Sequence, residues 1–166
     1  MAENHMTRIP AGDSKGTDMH LKNAITEIER YSEKLSRILQ DTPEHVLWKK
    51  PETIANSIGA ITRHLTGNLH HYMGAGVLST GYIRQRDQEF YAPPVSTGIL
   101  LDGLRESVAV ARDAINSIDQ KRANEPHTTP CGHKFQTLAE HVAKITAHFA
   151  YHIGEARYAS KLLSDD

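Results

Sequence analysis

The stretch AHFAYHIGEA, residues 147–156, sets His148 and His152 four residues apart. On a helix, residues at this spacing lie on one face about one turn from each other. Two imidazoles so placed can hold one metal ion from a single helix, as in the zinc-binding helix of metalloproteases. Zinc takes imidazole nitrogen at about 2.0–2.1 Å, so both rings must converge on one point. Spacing alone carries no weight. Eleven histidines in 166 positions give about 11 × 11/166, roughly 0.7, such pairs by chance, and one is present. The competing reading is two solvated or hydrogen-bonded histidines.

Position adds what spacing lacks. His141, Ile145, His148, His152 and Glu155 share one stripe of the last helix, and Ile145 with Phe149 sets that stripe near the core. Polar rings beside a core face need partners, because unpaired buried polar groups are costly. On an earlier helix, His64, Asn68 and His71 form a second polar line beside Ile61 and Leu65. Two facing polar lines are what a metal site in a helix bundle requires. A seven-residue separation is about 10.5 Å along a helix. His141 is therefore not expected to share an ion with the pair, and at most one of His64 and His71 should ligate. His70 points about 100° away from His71. His5 and His20 lie near the tail and His45, His127 and His133 in expected loops, and all five read as structural or solvated. Glu155, one turn after His152, is the candidate catalytic group; a fourth ligand, an outer hydrogen-bond acceptor and a general base all fit it. A di-iron carboxylate centre needs Glu-x-x-His motifs on two helices, and these are missing.

The elements that must carry these residues are helical. Leu21, Ala24, Ile25, Ile28, Leu35, Ile38 and Leu39 recur at three- and four-residue steps, with Thr17 or Asp18 as the cap. A second helix is expected from Asn56 or Ser57 to about Ser79 on Ile58, Ile61, Leu65, Leu69, Tyr72 and Met73. Its glycines Gly59, Gly67, Gly74 and Gly76 weaken it by roughly 1 kcal/mol each, so its end should fray after Gly74. Ser96 opens a third helix through Leu101, Leu104, Val108, Ala111, Ile115 and Ile118. Thr137 and Glu140 form a T-x-x-E capping box for a fourth, on Leu138, Ile145, Phe149, Ala156 and Leu163. The segments 81–94 and 119–135 read as loops, and no strand pattern competes. The expected fold is all-α, a four-helix bundle over residues 17–166 behind a flexible tail, 1–16.

Composition sets the frame. The chain carries a net charge of −1 without a block of like charge, so neither a nucleic-acid nor a membrane-surface role has electrostatic support. The polar start is not a secretory signal and no run approaches a membrane span, so a cytoplasmic protein is expected. Cys131 stands alone, which excludes an intramolecular disulfide and a cysteine-built zinc site. It reads as incidental rather than as a reactive thiol beside His133. Trp48 and Tyr72 read as core or pocket wall.

The segments NSIGAITRHLTGNLHHYMGAGV, RDQEF and AEHVAKITAHFAYHIGEARYASKLL resemble the DinB/YfiT-like metalloenzymes. The likeness runs from LWKKPETIANSIG onward, and IERYSEKLSRILQDTPEHVLW fits the first helix. The family pattern is one histidine on the second helix and a pair four apart on the last, before Gly-Gln. This implies His64, His148 and His152 as the metal ligands, with His64 preferred over His71. Here Gly154-Glu155 replaces Gly-Gln. The resemblance further implies an up-down-down-up bundle and a homodimer. Some members look like S-transferases or isomerases that use low-molecular-weight thiols. Arg84, Arg86 and Asp87 match a family stretch, although a solvated or ion-paired loop is the simpler reading.

Three neutral imidazoles leave a coordination position open for water or a thiolate. The cofactor expected is a divalent ion, with zinc, nickel and iron not distinguished by imidazole ligation, and with a low-molecular-weight thiol as a further candidate. Together with the resemblance, this implies a thiol-dependent S-transferase or a hydrolase acting on a small-molecule substrate. The alternatives are a non-catalytic metal-binding or interaction bundle and a metal-free bundle with hydrogen-bonded histidines.

Overall fold

The computed structural model describes residues 14–164. Four long helical stretches dominate: α1 (Ser14–Asp41), α2 (Ile58–Leu69) with a π-helical continuation (His70–Leu78), α4 (Thr97–Asn116) and α6 (Leu138–Ser164). Short helices α3 (Arg86–Tyr91) and α5 (Gln120–Ala123) and an antiparallel pair, β1 (His127–Thr128) and β2 (Lys134–Phe135), fill the connections. The fold is all-α apart from that pair. α1 packs on α4 and α6, and α2 packs on the same two.

The expected apolar stripes form the core. Leu21, Ile28, Leu35 and Leu39 of α1 are buried with Ile58, Ile61, Leu65 and Leu69 of α2, Leu104, Ala111 and Ile115 of α4, and Ile145, Phe149 and Ala156 of α6. Ser57 caps α2 by accepting from Ala60 N at 3.2 Å, and Ser96 caps α4 by accepting from Ile99 N at 3.4 Å. Thr137 Oγ1 accepts from Glu140 N at 3.0 Å, while Glu140 reaches back to Gln136 N at 2.8 Å, one residue earlier than a strict capping box. Among the described residues no helix is long and apolar enough to cross a membrane.

Several boundaries differ from those expected. α1 begins at Ser14, so Thr17 and Asp18 lie inside it, and Asp18 instead pairs with Lys22 at 2.6 Å. Of the expected tail, residues 1–13 lie outside the described residues. The second helix does not fray after Gly74. It continues to Leu78 in wider π-helical winding and stops at Ser79, whose φ is 58°. The glycines serve close approach here. A Cβ on Gly74 would meet Thr80 Oγ1 and Val110 Cγ1 at 3.2 Å, and one on Gly76 would meet Pro130 Cδ at 3.2 Å. Segment 81–94 contains α3, too short to show a periodicity. Segment 119–135 contains α5 and the strand pair, closed by Gly132 at φ 88° and by Thr129 Oγ1 accepting from His133 N at 3.0 Å. Two residues per strand are too few for an alternating pattern.

The strand pair presents its cross-strand partners, His127 and Phe135, to one side chain of α6. His141 stacks against Phe135 at 4.7 Å and against His127 at 4.8 Å between ring centroids. It is 1% exposed, and neither ring nitrogen has a partner. Burial, with the neighbouring His127 as a lesser cause, pushes its pKa down to about 4. Above about pH 6.5 this ring is neutral whether the chain is folded or unfolded. Below that the unfolded chain takes up the proton first, so stability falls as pH drops toward 4, by up to about 3 kcal/mol from this group. Denaturant unfolding at pH 7.5 and 4.5 should show the wild type losing about 2–3 kcal/mol more than His141→Leu. Equal losses would contradict this assignment.

Candidate metal centre

α2 and α6 bring three histidines together at mid-length. His64 sits between Ile61 and Leu65, which fix its turn of α2 in the core, and it is itself buried. His148 and His152 occupy successive turns of α6, beside buried Ile145 and Phe149, and are half-buried. One ring nitrogen from each lies within 4.8 Å of the others. His64 Nε2 and His148 Nε2 are 3.1 Å apart, and the ring centroids of His152 lie 4.8 Å from His64 and 4.5 Å from His148. Tetrahedral nitrogens at 2.0–2.1 Å from zinc stand about 3.3 Å apart, so small rotations of side chains complete the convergence. His71 and His141 stand apart from this group: His71 lies on the π-helical continuation and His141 against the strand pair. Of the remaining histidines, His20, His45 and His133 are exposed, His127 stacks on His141, His70 stacks on Tyr82, and His5 lies outside the described residues.

Carboxylates fix which nitrogens face inward. Glu89 Oε2 accepts from His64 Nδ1 at 2.9 Å, and Glu155 Oε2 accepts from His152 Nδ1 at 2.5 Å. A proton on Nδ1 leaves the Nε2 lone pair of a neutral ring free, and His64 Nε2 faces His148 Nε2 across the 3.1 Å contact. Such outer acceptors orient ligating histidines and raise their basicity. Of the three roles open to Glu155, this position corresponds to the outer acceptor. Burial, then the positive charge of neighbouring His152, His64, Arg84 and Lys144, pushes the His148 pKa down to about 4. Burial also lowers His152 against the opposing pull of Glu155. Neutral rings are the form that binds metal.

Glu89, which the sequence alone did not single out, is bonded to this group. It lies 25 positions from His64, on a segment read as loop. It is buried at 6% exposure, and Arg84 grips both its oxygens, with Nε at 2.6 Å from Oε1 and Nη2 at 2.8 Å from Oε2. Arg84 Nη2 also lies 3.2 Å from His64 Nδ1; both are donors and both are aimed at Glu89. Burial pushes the Glu89 carboxyl up, but the bonds from His64 and Arg84 outweigh it and hold it below the usual carboxylate range. Arg84 is ion-paired, as read, and its side chain is only 10% exposed. Two features of the sequence bear on it: the RDQEF segment contains it, and Gly67 faces it. A Cβ at that position would collide with Glu89 Oε1, so the glycine makes room for the carboxylate. Gly67→Ala is expected to cost about 1–3 kcal/mol by overpacking and to weaken metal binding at least tenfold by displacing Glu89. Thermal melts and a metal titration measure both, and unchanged affinity would contradict the placement of Glu89.

Two cavities flank the centre. One, of about 350 Å³, is bordered by His148 and runs to β2. The other, of about 510 Å³, lies on the Gly67 and Glu89 side and contains no histidine. Trp48 is half-buried, donating from Nε1 to Val95 O at 3.1 Å, and serves packing. Cys131 is exposed near the strand turn, with Sγ 3.3 Å from Thr129 Oγ1 and 3.5 Å from Tyr72 Oη, and stands apart from the three histidines.

A family model described as Protein of unknown function (DUF1572) matches residues 15–166. No curated protein matches the chain.

Proposed function

The chain belongs to the family described as Protein of unknown function (DUF1572), and from that premise we propose that it is a DinB-like metal-dependent enzyme. The single observation that carries this reading is the convergence of His64, His148 and His152, with the Nδ1 atoms of two of them backed by carboxylates. The donor set suits a divalent ion: three neutral nitrogens, two tautomers fixed by outer acceptors, and a cavity on the His148 side. An ion there supplies Lewis acidity that lowers the pKa of water or a thiol toward neutrality. Glu89 and Arg84 hold the His64 ring, and Glu155 holds the His152 ring. Glu155 thus acts as a positioning residue through His152, and its second oxygen is available to take a proton. The four long helices, each packed on two others, support an up-down-down-up bundle. We extend the family resemblance to a cytoplasmic homodimer, which sedimentation at micromolar concentration checks.

The reaction class we favour is thiol-dependent S-transfer to a small electrophile, with hydrolysis second. Protein loaded with zinc, nickel or iron is screened with a reactive electrophile and glutathione, bacillithiol or mycothiol. Turnover that falls to background in His152→Ala supports the enzyme reading. Failure of all three thiols sinks S-transfer, and an absence of any turnover in metal-loaded protein favours a non-catalytic binding bundle.

A further inference from the structure

The cavity beside His148 has walls of one charge. Lys134 of β2 and Lys144 of α6 both line it, and no aspartate or glutamate does. Neither lysine forms an ion pair among the described residues, while Glu89 is committed to Arg84 and Glu155 to His152. Lys144 stands one turn before His148 on α6. Phe135, Ile145 and Tyr72 supply the apolar part of the remaining lining, behind which the His141 ring is buried with neither nitrogen partnered, and Thr129 and His133 border it at the strand turn. Asn68, 5% exposed on α2, completes the side nearest His64.

Resting on the metal-site reading above, we propose that this cavity is the substrate pocket and that it takes a small organic anion. A carboxylate or phosphate group of the ligand lies against Lys134 and Lys144, and a planar or aliphatic body lies against Phe135 and Tyr72. The opposite end of the ligand then points to His148 and the open side of the three histidines. A volume of about 350 Å³ falls at the small end of ligand sites, which run from about 300 to 1,000 Å³, so a molecule of metabolite size fits and a peptide does not. The electrostatics agree. Three neutral imidazoles cancel none of an ion's charge, and cationic walls in a low-dielectric cleft focus anions toward it.

The test separates the pocket from the metal. Metal-free protein is titrated at pH 7.5 with phenyl phosphate, benzoate and neutral benzyl alcohol, followed by backbone amide NMR. Saturable binding of either anion, at least tenfold tighter than benzyl alcohol and with shifts at residues 134–148, supports the proposal; the order of the two anions identifies the head group. The exposed pair Lys134→Gln/Lys144→Gln should weaken the anion at least tenfold and leave benzyl alcohol unchanged. Equal binding of all three probes, or an anion affinity indifferent to the double substitution, overturns the proposal. A separate cobalt titration decides the metal reading: anion binding without cobalt uptake keeps the pocket and removes the metal centre, whereas cobalt uptake without anion preference does the reverse.

Discussion

His148→Ala should abolish stoichiometric metal uptake. The ring supplies one of three converging nitrogens, and two imidazoles on separate helices hold an ion far more weakly than three. The loss should therefore exceed the roughly 10–100-fold that follows removal of an outer partner alone. The effect has a second readout in stability. An ion present at 1,000 times its dissociation constant adds about 4 kcal/mol to the folded state, which for a chain of this size raises Tm by about 8–16 °C. Wild type should show that rise and His148→Ala should not. Without metal the two should melt within a few degrees of each other, because the substitution removes a half-buried ring whose protonation the fold already opposes. The same metal-dependent rise in both proteins would contradict the ligand role.

Glu89→Ala should be the most destabilising substitution in the centre. Its carboxylate is 7% exposed and its partner Arg84 is 10% exposed, so truncation leaves a guanidinium buried without a counter-charge. Breaking a buried pair from one side costs about 3–5 kcal/mol, whereas replacing both partners with apolar groups is often neutral. Arg84→Met/Glu89→Leu should accordingly recover most of the stability lost in Glu89→Ala, a coupling read from a double-mutant cycle. Metal affinity separates positioning from packing. The double variant still lacks the acceptor on His64 Nδ1, so it should fold well and bind metal about 10–100-fold more weakly than wild type. Wild-type affinity in the refolded double variant would show that Glu89 merely packs.

The helices were legible because their apolar residues repeat over many turns. Leu21 to Leu39 and Leu138 to Leu163 each hold one stripe long enough for the period to dominate. Ser96 was legible as the start of a helix and Ser57, with Asn56, as one of two possible starts, because short polar side chains before an apolar run favour that position. The π-helical stretch was not, since Gly74 and Gly76 weaken a helix in isolation and their packing against Val110 and Pro130 is tertiary information. α3 and the strand pair are too short to carry a period. For the site, the spacing of His148 and His152 alone proved nothing, and His64 was selected over His71 through family resemblance rather than from its own surroundings. Glu89 could not be found by periodicity. It reaches His64 from another element: RDQEF, which contains it, resembled the family without assigning it a role, and the glycine opposite it at position 67 reads in the sequence only as a weak point in a helix.

The central claim is that three histidines from two helices hold one divalent ion. Crystals of protein loaded with nickel or zinc, measured above and below the absorption edge of the metal, test it most directly. The expected result is a single anomalous peak at about 2.0–2.1 Å from one ring nitrogen each of His64, His148 and His152, with Glu89 and Glu155 still on the Nδ1 atoms of His64 and His152. A metal-loaded crystal whose anomalous density lies elsewhere, or whose three rings remain hydrogen-bonded to one another with no peak between them, would contradict it.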